Sequence, residues 1–81
     1  MRIKLRLFSI AKDIAGFDEQ EIDVAESSTA SDVLEFLSAR DKRFHEWKSS
    51  LRFAVNYEYV ANNHPLKDGD EVAVIPPVSG G

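Results

Sequence analysis

The chain closes on Lys67-Asp68-Gly69-Asp70-Glu71-Val72-Ala73-Val74-Ile75-Pro76-Pro77-Val78-Ser79-Gly80-Gly81: a turn, a strand and a thin tail. Lys67 to Asp70 is turn chemistry, with Gly69 free to take positive φ. Glu71 to Ile75 alternates, with Val72 and Val74 on the inner side, and reads as the final strand. The diproline stops that strand, because proline fixes φ and cannot donate to a sheet. Four small or uncharged residues follow, an extended reach of about 13 Å from the last packed residue. That is enough to carry a terminal carboxylate into another protein's active site. Gly80 and Gly81 lack a Cβ and can thread a channel that a larger residue would block. A diglycine alone reads more readily as a frayed end or a cloning scar. The residues upstream bear on which reading holds.

Working back from the tail, Met1-Arg2-Ile3-Lys4-Leu5-Arg6-Leu7-Phe8 alternates strongly. Ile3, Leu5 and Leu7 lie on one side and Arg2, Lys4 and Arg6 on the other, a half-buried strand over 2–8. Ile10 to Ala15 has helical spacing and stops at Gly16, a short turn of helix with a glycine cap. Residues 19–24 make a second strand with Ile22 and Val24 inward. Thr29-Ala30-Ser31-Asp32 opens like a capping box. Ala30, Val33, Leu34 and Leu37 then form one apolar face of a helix running to Ala39 or Arg40. Phe44 and Trp47 are three apart, so a short helical turn can tuck both rings under the sheet. Leu51 to Tyr57 reads as a third strand and Tyr59 to Ala61 as a short fourth, with the turn between them unplaced. The order β-β-α-β-β-β, with one main helix across a mixed sheet of about five strands, is an α+β fold of the β-grasp (ubiquitin-like) arrangement. In that arrangement the first and last strands are parallel neighbours at the sheet centre. The expected organisation is one domain over 1–77 and a flexible tail over 78–81.

Composition narrows the function. The 81 residues suffice for a single domain with a thin core and little room for a private active-site cavity. Net charge is -4, the wrong sign for a nucleic-acid binder. No cysteine is present, which removes disulfides, zinc–thiolate sites, iron–sulfur clusters and a cysteine nucleophile. Nothing approaches a membrane span or a continuous hydrophobic leader, so the expectation is a cytoplasmic protein. His45 and His64 stand alone, and Asp68 with Asp70 lacks the further oxygens of a calcium loop, so no metal is expected. The serines have no partnered base, and no glycine-rich phosphate loop exists, so nucleotide would have to be bound by a partner.

With turn, helix and tail in place, the segment His64-Pro65-Leu66-Lys67-Asp68-Gly69-Asp70-Glu71-Val72-Ala73, running into Pro76-Pro77-Val78-Ser79-Gly80-Gly81, resembles the small subunit of molybdopterin synthase (the MoaD type). Ala54-Val55-Asn56 and the Ile3-Lys4-Leu5 strand add to the likeness, which covers essentially the whole chain. The resemblance implies a sulfur carrier that binds no cofactor itself and is not an enzyme alone. Its C-terminal glycine is activated by an E1-like adenylyltransferase using ATP and becomes a thiocarboxylate. It then enters the large subunit of the synthase, in a heterotetramer, and gives sulfur to a cyclic pyranopterin precursor of the molybdenum cofactor. By position Gly81 would carry the sulfur, with Gly80 as the neck.

The residues suit that chemistry on their own terms. A terminal carboxylate, with a reference pKa of about 3.3–3.7, is ionised at neutral pH and a poor electrophile. Adenylation supplies a leaving group that sulfide can displace. Strand phase points to the docking surface. Phe8 shares the Arg2, Lys4 and Arg6 side, and Ile75 lies opposite Val72 and Val74. With the first and last strands paired, both fall on the face away from the helix, where no further segment remains to cover them. Tyr59 joins them, and Val78 and Ser79 of the spacer complete the expected partner-binding set. Three rivals remain: another β-grasp carrier, for thiamine or tRNA thiolation; a ubiquitin-like modifier joined through Gly81 to lysines; and a plain β-grasp binding module with an inert tail.

Overall fold

The computed structural model describes residues 1–76. Strand β1 (Arg2–Leu7) runs into helix α1 (Ser9–Ala15), then β2 (Glu19–Asp23). The main helix α2 (Ala30–Arg40) and the single turn α3 (Arg43–Glu46) follow, and β3 (Arg52–Val55), β4 (Glu58–Val60) and β5 (Glu71–Ile75) complete the chain. The sheet order is β2-β1-β5-β3-β4. β1 and β5 are parallel, with Leu5 opposite Val72 and Leu7 opposite Val74, and the other pairings are antiparallel. This is the expected β-grasp, with the first and last strands side by side at the centre. The boundary expected after residue 77 lies outside the described residues.

The two-residue period of the central strands makes the core. Ile3, Leu5, Leu7, Val72 and Val74 point to one side and are buried. Val33, Leu34 and Leu37 of α2 close over them, with Phe44, Phe53 and Leu66 filling the periphery. Helix α2 begins at Thr29, whose backbone N–H donates to the Asp32 carboxylate at 2.8 Å. Its next two N–H groups are met from outside, Ala30 donating to the His64 carbonyl and Ser31 to that of Asn62. The 62–64 loop therefore satisfies donors that a helix start leaves unpaired. Helix α1 ends as its glycine predicts, Gly16 taking φ 87° and donating to the Lys12 carbonyl.

Three local expectations change. Strand β2 stops at Asp23, one residue short of Val24, which still faces inward, half-buried against the core and hydrogen-bonded through its backbone to Met1. Phe44 is buried, but Trp47 meets it edge-on with centroids 6.3 Å apart and stays half-buried, because α3 lasts only one turn. The third strand stops at Val55, not Tyr57. Asn56 and Tyr57, at φ 52° and 74°, form the tight turn into β4, which spans Glu58–Val60 rather than 59–61.

Candidate functional site

The helix-free face of the sheet carries the site. Register lines up Glu19, Arg6, Ala73, Ala54 and Tyr59 as one row across all five strands. Ala54 and Ala73 are direct partners on neighbouring strands, and two methyls in mid-row leave a depression between larger side chains. Phe8, Tyr57, Tyr59 and Ile75 stand around it, enclosing a shallow apolar groove of about 190 Å³. Phe8 is 40 % exposed and Tyr59 67 % exposed, so these rings cover no core of their own domain. The structure thus brings together the three described members of the expected partner-binding set: Phe8, Tyr59 and Ile75. Val78, Ser79, Gly80 and Gly81 lie outside the described residues.

Charge frames the groove. The Arg6 guanidinium lies 5.4 Å from the Phe8 ring centroid, and that of Arg52 lies 6.0 Å from Tyr59. Arg6 donates to Glu71 at 3.3 Å, and this hydrogen bond holds Arg6 still further in its charged form. Glu19 lies 3.8 Å from Arg6 and 3.9 Å from Lys4. Lys4 and Arg6 are therefore already matched by carboxylates of this chain. Arg52 enters no ion pair among the described residues. It sits opposite Ile75, where β5 ends and the chain leaves the sheet.

Beside the groove, a polar clamp joins the β3–β4 turn to the start of β5. The Asn56 side chain donates to the Asp70 carboxylate and accepts from the Glu71 N–H, both at 3.0 Å, while its own N–H donates to the Glu71 carbonyl at 2.8 Å. Asp70, almost fully buried, also accepts from the Lys67 N–H at 2.8 Å. Asp68 accepts from the Arg2 N–H at 2.7 Å, and Gly69 (φ 87°) donates to the Arg2 carbonyl. The Asp68-Gly69-Asp70 segment thus ties the start of β5 to the β3–β4 turn on one side and to β1 on the other. Among the described residues no three His, Asp or Glu side chains gather as a metal site, and no helix is long and apolar enough to cross a membrane.

Comparison with known proteins bears on what this face serves. Residues 5–81 match the ThiS family. The chain belongs to that family. It is 37% identical to the molybdopterin synthase sulfur carrier subunit of Chlamydomonas reinhardtii, with all of both chains covered. It is 36% identical to that of Escherichia coli, over 98% of this chain and 99% of the relative. Among solved structures it is similar to a chain in the protein–protein complex of subunits 1 and 2 of the molybdopterin-converting factor from Helicobacter pylori. That likeness has 28% identity, TM-score 0.65 and all of both chains covered. It is also similar to small archaeal modifier protein 1 from Methanosarcina acetivorans, at 25% identity and TM-score 0.74, over 99% of this chain and 96% of the other. The family resemblance read from the terminal block is borne out.

The groove floor and the polar clamp escaped the sequence reading. Ala54 and Ala73 are small outward residues of two separate strands, and only the β3–β5 register makes them one floor. An Asn at the first position of a two-residue turn was a usable signal for the clamp, but tyrosine stands where glycine would have completed it.

Proposed function

We propose that this chain is the sulfur-carrier subunit of a cytoplasmic molybdopterin synthase, inert alone and active in complex with a large subunit. The observation that carries the reading is the exposed apolar groove of Phe8, Tyr59 and Ile75 at the end of β5, the last strand before the terminal block. Full-length similarity to sulfur carrier subunits supports it. So does similarity to a chain of a two-subunit complex.

In this reading the Gly81 carboxylate attacks the α-phosphorus of ATP on an E1-like adenylyltransferase, and pyrophosphate leaves. Hydrosulfide adds to the acyl adenylate and AMP departs, leaving a thiocarboxylate and one proton. The sheet face then docks on the large subunit and residues 78–81 extend into its active site. There the thiocarboxylate sulfur bonds to a carbon of the pterin precursor, an oxygen substituent leaves that carbon, and water hydrolyses the resulting thioester, leaving the sulfur on the pterin and returning Gly81 to a carboxylate; two such transfers supply both sulfurs of the dithiolene. Ordering four tail residues costs roughly 4–8 kcal/mol of backbone entropy, and glycines return little side-chain contact. Backbone hydrogen bonds and the groove must offset that cost, which favours reversible docking and lets one carrier serve two enzymes in turn. Nucleotide is bound by the activating enzyme, and this chain holds neither metal nor cofactor.

The likeness to a small archaeal modifier favours one second reading, covalent attachment through Gly81 to lysines. One reconstitution separates the two. The activated chain is mixed with large subunit and pterin precursor, and both pterin product and protein adducts are followed. A dithiolene-bearing product, with the chain returned as free carboxylate, supports the carrier. Stable isopeptide adducts without pterin product would support the modifier and overturn the carrier.

A further inference from the structure

Tyr57 occupies the second central position of the β3–β4 turn at φ 74° and is 82 % exposed. A two-residue hairpin turn with positive φ at both central positions, as here, ordinarily places glycine second. A Cβ in that conformation crowds the neighbouring carbonyl, and a bulky residue there is an outlier. Asn56 beside it shares the left-handed backbone, but its side chain repays this by clamping Asp70 and Glu71. The Tyr57 ring returns no comparable burial to its own domain. It lines the outer wall of the groove with Phe8, Tyr59 and Ile75. Strain of this kind persists where function requires the side chain.

We propose that Tyr57 is a docking anchor, kept against the backbone preference of its turn because its ring packs on the partner covering the groove. The inference rests on the reading above and takes the large subunit as that partner. Charge adds to the partner's description. Lys4 and Arg6 are matched within the chain, whereas Arg52, stacked on Tyr59 at the opposite side of the groove, meets no carboxylate among the described residues. The partner surface is therefore apolar opposite the two tyrosines and presents a carboxylate opposite Arg52, beside the point where the tail departs.

The test uses the full chain and purified large subunit, with association measured calorimetrically and thermal unfolding of each variant measured alone. Tyr57→Gly relieves the strain and should raise the melting temperature, on the order of 4 °C for a domain of this size. It should also weaken association by about tenfold or more, as loss of an aromatic anchor does. Tyr57→Phe keeps the ring and should bind within about twofold of the parent, since one rim hydroxyl carries little. Arg52→Glu should weaken association, with the loss shrinking as salt rises. Unchanged association of Tyr57→Gly overturns the anchor, and so does a lowered melting temperature, which would mean the ring serves its own domain. Unchanged association of Arg52→Glu removes the carboxylate from the partner's surface. Phe8→Asp separates the two levels. If it weakens association while Tyr57→Gly does not, the anchor alone fails. If Phe8→Asp also binds normally, this face is not the docking face and the underlying reading fails with it.

Discussion

Replacing Asn56 by alanine tests whether the clamp ties the β3–β4 turn to the start of β5. Its side chain makes one hydrogen bond to the Asp70 carboxylate and one to the Glu71 N–H, both 3.0 Å, and its backbone sits at φ 52°. A hydrogen bond to a charged group contributes about 1.5–3 kcal/mol and a neutral one about 0.5–1.5. Asn56 is exposed, so the low ends apply, together about 2 kcal/mol. Alanine in the left-handed region adds roughly 1 kcal/mol that asparagine largely avoids. The expected loss is about 3 kcal/mol, against a total stability of roughly 4–12 kcal/mol for a chain of this length. Asn56→Gly loses the same hydrogen bonds but accepts the backbone, so it should cost less than alanine by about 1 kcal/mol. Urea unfolding of both variants, read at constant slope, measures the two losses. An alanine cost below about 1 kcal/mol, or glycine as damaging as alanine, would refute the assignment of the clamp.

Three further outcomes are expected. Gly81→Ala should leave the melting temperature unchanged and cut sulfur transfer on the order of 10²-fold, because the added methyl displaces the reacting carbon; full transfer would refute the threading of a thin tail. Phe44→Ala empties a fully buried site against Trp47 and should cost about 3–5 kcal/mol in denaturant unfolding; a near-neutral result would place that ring outside the core. Asp41 accepts from the Arg43 side chain and backbone, which lowers its carboxyl from 3.8 to about 2. A carboxyl depressed in the folded state stabilises above its unfolded pKa and loses that contribution as pH falls from about 4 toward 2. Carboxyl NMR titration of Arg43→Ala, which keeps the backbone N–H donor, should raise Asp41 part of the way toward the ordinary carboxylate range, and an unmoved titration would refute the side-chain cause.

How far the fold could be read in advance depended on how local each signal is. The alternation of Ile3, Leu5 and Leu7 and of Val72 and Val74 gave strand faces directly. The spacing of Val33, Leu34 and Leu37 gave the helix, and Gly16 its neighbour's end. Parallel pairing of β1 with β5 followed from recognising the arrangement, since no short-range feature encodes it. The β3–β4 turn could not be placed because Tyr57 carries no turn signal and its left-handed backbone is imposed by the pairing of Phe53 with Val60 and Val55 with Glu58. On the site, phase alone placed Phe8 and Ile75 on the open face. The alanine floor, the clamp and the matched charges of Arg6 required the register of strands far apart in sequence. Asp70 illustrates the difference: in sequence it is one of two turn carboxylates, and in the fold it is nearly buried and binds two segments.

The most direct measurement is the intact mass of this chain after incubation with ATP, an E1-like activating enzyme and a sulfide source, with fragmentation to locate any change. Replacement of one oxygen by sulfur at Gly81 is expected, reversed when large subunit and pterin precursor are added. A mass that never changes under those conditions, or a change located on any other residue, would contradict it.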